Sequence, residues 1–150
     1  MHLLNSLRVL EGRTSMRLRS CEALIIKKKG EIRNVEAGIE RQHQIIDAAK
    51  NHLQSFIIVG CVQLSDIVES KTRQATVRRK IAESELQHAE LNTQKRELEQ
   101  ELKVALNNKH MLLRKVERVA ENVSRVRREE HNRMLNGIDN ETEEQINWNA

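Results

Sequence analysis

Stepping from Leu4 alternately by three and four residues as far as Phe56 meets sixteen positions, twelve of them apolar. The same walk from Ile67 to Val126 meets eighteen positions, again with twelve apolar. Side chains spaced in this way share one stripe of an α-helix, and a seven-residue repeat sustained over so many turns winds two helices into a left-handed coiled coil. The pattern therefore predicts an all-α chain, a long antiparallel two-helix coiled-coil hairpin over residues 1–136. Helix one is expected at about 3–58, an apolar turn at about 59–65 and helix two at about 66–136, with lengths of roughly 85 and 105 Å at 1.5 Å per residue. Asp66 with Glu69 three residues on reads as a capping box, Ser65 as an alternative cap, and Gly137 after "HNRMLN" as a stop. Residues 137–150 carry four acidic and no basic groups and read as a disordered acidic tail.

An antiparallel pair matches a positions of one helix with d positions of the other, and pairing residues whose numbers sum to 123 does so along helix one. Eight of the sixteen layers are then apolar on both sides, among them Leu7 with Val116, Ile25 with Leu98, Ile46 with Val77 and Phe56 with Ile67. Two are polar on both sides, Thr14 with Lys109 and Lys28 with Lys95. A lysine facing a lysine weakens a seam even when both ammonium groups snorkel outward, so this register predicts modest stability.

Composition reinforces the helical reading. The chain has one Phe, one Trp, no Tyr and no Pro, and 32% of its residues are charged. So few aromatics cannot fill a compact core, and without proline long exposed helices run unbroken. The longest apolar run, Phe56–Val62, falls far short of the roughly 20 residues of a membrane span, so no direct membrane insertion is expected. The Arg- and Ser-rich opening resembles an organelle presequence, but the heptad walk passes straight through it. Cys21 and Cys61 are separated by forty residues without a CxxC, which favours free thiols in a reducing compartment and a cytoplasmic protein.

Charge is unevenly spread. Residues 1–59 carry ten basic and six acidic groups, residues 66–136 sixteen and twelve. A hairpin brings residues 1–20 beside 114–133, and this terminal end is basic by about six charges, with Arg8, Arg13, Arg17, Arg125, Arg127 and Arg128 as its candidate contact residues beside Leu4. The other end is neutral and apolar. Phe56, Ile57, Ile58, Val62 and Leu64 crowd into "QSFIIVGCVQLSD", where a tip has too few neighbours to bury them, so they are read as a contact surface rather than a closing cap. One basic and one apolar end suit a bridge between two different partners.

No nucleotide-binding loop, nucleophile elbow or HExxH is present, no catalytic residue is assigned, and no cofactor is expected. The two ExxH stretches, Glu40 to His43 and Glu85 to His88, resemble those of di-iron bundles, but such a site needs four helices, so no metal is expected. The basic clusters at 27–29, 78–80 and 125–133 are interleaved with acids and do not lead into heptads as a zipper's basic arm does. They read as a solvated face rather than a nucleic-acid surface.

The opening "MHLLNSLRVLEGR", the "CEALI" at 21–25 and "ATVRRKIAESELQHAELNTQKRELEQEL" at 75–102 resemble the SpaM/InvI family of type III secretion proteins, similar in role to FliJ and YscO. The resemblance implies an antiparallel stalk without catalytic activity, monomeric when free. Its basic terminal end would enter the hexameric secretion ATPase, its tip would meet the export gate protein, and it would handle secretion chaperones at the cytosolic face of the apparatus. Two rivals come from other classes. A prefoldin-like chaperone predicts a β-hairpin in "SFIIVGCV" and an obligatory hexamer, and a parallel homodimeric tether predicts no ATPase partner.

Overall fold

The computed structural model describes residues 2–148 and consists of two long helices, α1 (His2–Gln54) and α2 (Leu64–Trp148), with no strand among the described residues. The chain is an all-α helical hairpin, as the heptad walks predict. It divides into two compact units, the first formed by Met1–Leu24 with Ala105–Ala150 and the second by Ile25–Val104. In each unit a stretch of α1 lies antiparallel to a stretch of α2.

Among the described residues every buried one falls on the two walks. In the second unit these include Ile46, Ala49 and Ile81, packed together with Leu53 and Val77 against them. In the first they include Val119, Val123 and Val126 together with Thr14, whose hydroxyl donates to the Leu10 and Glu11 carbonyls at 2.9 and 3.0 Å. That back-bonding satisfies the hydroxyl, so a threonine is tolerated in the seam.

The register differs from the expected one by a heptad. In the second unit Lys28 Nζ meets Glu101 at 2.5 Å, Lys95 Nζ meets Glu36 at 3.1 Å and Gln42 donates to Gln87 at 2.9 Å. In the first, the Cys21 thiol donates to the Ala105 carbonyl at 3.3 Å and Lys109 Nζ meets Glu22 at 3.5 Å. These pairs cluster around a sum of about 130 rather than 123, one seven-residue repeat away. The shift keeps the same seam positions and removes the Lys28–Lys95 opposition. Lys28, Lys95 and Lys109 each gain a glutamate on the facing helix instead.

Helix ends differ too. α1 stops at Gln54, four residues before the expected end. Its last carbonyls are taken in tightened turns, the amides of Ser55, Phe56 and Ile57 donating to His52, Leu53 and Gln54. The Phe56 carbonyl accepts from Ser70 Oγ at 3.1 Å and Gln74 Nε2 at 3.2 Å, which ties the chain to α2. The β-branched run that follows is a poor helix former, and Gly60, with φ 111°, adopts a conformation that other residues avoid. Phe56 is accordingly level with Gln74 rather than with Ile67. α2 begins at Leu64, with the Gln63 carbonyl accepting from Asp66 and Ile67, so Asp66 sits inside the first turn, favourably placed on the helix dipole, and is not the cap. Gly137 does not stop α2. It lacks the positive φ of a C-cap glycine, and the helix continues to Trp148.

Candidate functional site

The connection between the helices in the second unit exposes apolar side chains in a group. Ile57, Ile58, Val62 and Leu64 are exposed, and Val59 is 91% accessible. They cannot bury one another because the turn is closed through the backbone by Ser70 and Gln74, leaving the side chains outside. Phe56 is the exception: it is half-buried, with its ring edge-on to His52 at 4.7 Å. Together with Ile57, Ile58, Ser70 and Arg73 it lines a shallow recess of about 260 Å³. Of the tip residues read from the sequence, Phe56, Ile57 and Ile58 share this recess, while Val62 and Leu64 are exposed further along the same connection.

In the first unit Arg8, Arg13, Arg17, Arg125, Arg127 and Arg128 are all exposed. Arg125 donates to Asn122 Oδ1 at 3.1 Å and Arg128 Nε to the Ser124 carbonyl at 3.4 Å. Among the described residues Arg8, Arg13 and Arg17 make no ion pair, so their charge is available to a partner. They do not form one cluster. Arg13 and Arg17, four residues apart, share a helix flank, while Arg8 lies on the other side of α1. Leu4 is half-buried at a seam position.

A further surface escaped the sequence reading. The flank of α1 that carries Arg13 and Arg17 is built from two columns with a seven-residue period, Leu3, Leu10, Arg17 and Leu24 in one and Ser6, Arg13 and Ser20 in the other. Leu3, Leu10 and Leu24 are exposed, as are Val9 and Met16 beside them. Two recesses lie along it. One, of about 500 Å³, is lined by Ser6, Val9, Leu10 and Arg13. The other, of about 430 Å³, is lined by Arg17, Cys21, Leu24, Met111, Leu112 and Lys115. The signal was present as a second apolar column outside the seam, which a walk confined to a and d positions passes over.

Neither ExxH stretch assembles a site. Glu40 accepts from Gln44 and Glu85 pairs with Lys50, while His43 contacts Asp47 at 3.3 Å and His88 lies 3.1 Å from Asn92 Nδ2. No group of three metal-holding side chains occurs among the described residues. Both cysteines are free, and no helix among the described residues is long and apolar enough to cross a membrane. The Lys28 ammonium is held above the ordinary 10.5 by Glu101 first and Glu31 second, which accept hydrogen bonds from it.

Comparison with known proteins adds one finding. A family model described as Salmonella surface presentation of antigen gene type M protein matches residues 5–146, nearly the whole chain. No curated protein and no solved structure matches it. With two long helices, a heptad seam within each compact unit and a family match over almost all of the chain, the chain belongs to the SpaM family of type III secretion system proteins.

Proposed function

We propose that the chain is a non-catalytic stalk of its secretion system, linking the export ATPase to the export gate from the cytoplasmic side. The observation that carries this reading is the segregation of two exposed surfaces of opposite character, unpaired arginines in the first unit and, in the second, an exposed apolar segment with no charged residue between Lys50 and Asp66. The arginines suit an acidic pore in the ATPase, where electrostatic steering speeds docking. The tip suits an apolar groove on the gate protein, since area kept in water until a partner arrives contributes to binding rather than to folding. Secretion chaperones are a third class of partner for the exposed helix faces. The prefoldin-like alternative loses its support, because the "SFIIVGCV" segment holds no strand.

Pull-down of the purified chain with the ATPase and with the gate protein tests the reading directly. Changing Arg13, Arg17, Arg125 and Arg127 together to Glu is expected to slow association with the ATPase while circular dichroism stays unchanged, and wild-type affinity is expected to fall as salt rises. Salt-independent binding to the ATPase would remove this surface from the mechanism.

A further inference from the structure

α2 outruns its partner. With α1 starting at His2 and the register near a sum of about 130, the described part of α1 reaches to about residue 128 of α2. From His131 to Trp148 every residue is exposed, although the segment is helical throughout. Its apolar residues do not wait for a longer α1. The positions that would continue the seam are Glu130, Arg133, Gly137, Asn140, Glu144 and Asn147, none of them a hydrophobic side chain. Met134, Leu135, Ile138 and Ile146 gather instead on roughly the opposite side of the helix, with Trp148 at the edge of that face. Glu141 and Asp139 stand at the two borders of that face, Glu143 and Glu144 add charge on the seam side, and no basic residue follows Arg133.

The matching surface is in the same unit. The α1 flank from Asn5 to Leu24 sets Arg13 and Arg17 among leucines and serines in its two columns and is recessed twice, with Lys115 lining one recess. At 1.5 Å per residue the flank is about 30 Å long and the helical extension about 27 Å. The extension cannot reach its own flank, because α2 passes unbroken through Gly137 and leads away from the start of α1. Pairing extension with extension would set acid against acid.

We propose that two copies dimerise reciprocally, the acidic extension His131–Trp148 of each lying on the basic flank Asn5–Leu24 of the other. Such an exchange is isologous and closes on itself, using one self-complementary surface twice. It departs from the monomer that the family resemblance implies. It also gives Arg13 and Arg17 two competing occupants, the second copy and the ATPase. That competition rests on the function proposed above, whereas the dimer does not.

The test uses the full chain without ATPase, so its outcome is independent of the stalk reading. Trp148 is the only tryptophan and is 90% accessible in the single copy, which makes its emission a direct reporter of docking. Sedimentation at increasing concentration is expected to show a monomer–dimer equilibrium, with Trp148 emission shifting to the blue and iodide quenching falling in step. Arg13→Glu with Arg17→Glu is expected to weaken the dimer about tenfold or more, and mixing that variant with one carrying Asp139→Arg and Glu141→Arg is expected to recover much of the loss. A chain that stays monomeric at all concentrations overturns the proposal. So does a dimer in which Trp148 stays open to iodide, since another face would then be in use. Trp148 shielded in the monomer would mean the extension folds back on its own chain, and the second copy would be the wrong occupant.

Discussion

Ile46 and Ile57 are the same residue eleven positions apart, and they meet opposite fates. Ile46 is 6% accessible, packed with Ala49 and Ile81, whereas Ile57 is 69% accessible at the turn. The difference is one of spacing. Ile46 recurs with its apolar neighbours at three and four residues, so one helix stripe collects them and a facing stripe covers them. Ile57 belongs to a consecutive run, whose side chains point in several directions where no second element lies. Apolar character therefore supplies folding energy in the seam, whereas at the tip the apolar area stays in water, and the two regions should respond to mutation in different ways.

The sharpest contrast is a charge in the seam. Ile46→Asp places a carboxylate against Ala49 and Ile81 and is expected to cost about 2–4 kcal/mol, a large share of the stability of so thin a core. Thermal melting followed by circular dichroism measures it. An unchanged melt would remove Ile46 from the core and dissolve the comparison at its root.

The same type of change at the tip should leave the fold alone. Converting Ile57, Ile58, Val62 and Leu64 together to Ser is expected to keep helix content, to move stability by less than about 1 kcal/mol, and to abolish capture of the gate protein. Loss of helix in this variant would mean that the tip is a core cap, with no difference left between the two regions.

A smaller effect tests the register that sets the seam. Glu36→Lys leaves Lys95 facing a like charge and is expected to cost roughly 0.2–1 kcal/mol, regained in the double variant with Lys95→Glu. A coupling energy of zero, with coupling found instead between Lys28 and Lys95, would restore the register one heptad away.

The smallest effect concerns pH. Because the folded-state pKa of Lys28 lies above its unfolded value, its pairing contributes fully below pH 10.5 and is lost as pH rises through the folded value. Melting of the wild type is expected to fall with pH in that alkaline window slightly more than melting of Lys28→Met. Parallel curves would show that Glu101 and Glu31 do not hold the ammonium in solution.

Much of this molecule was determined by its sequence alone. Among the described residues the buried ones all stand on the two heptad walks, because a 3.6-residue helix collects side chains spaced by three and four on one stripe. The open tip followed from the same rule, since its run breaks the spacing. Only the tertiary structure decided the register, because successive heptads present nearly the same apolar profile and slide past one another at little cost. The choice rests on long-range partners, the glutamates that reach Lys28, Lys95 and Lys109 across the seam, and on the tie from Phe56 to Ser70 and Gln74 that fixes where α1 ends. The continuation of α2 past Gly137 was likewise settled in the structure, since a glycine marks a helix end only when its backbone takes the left-handed turn, and neither composition nor spacing reveals that.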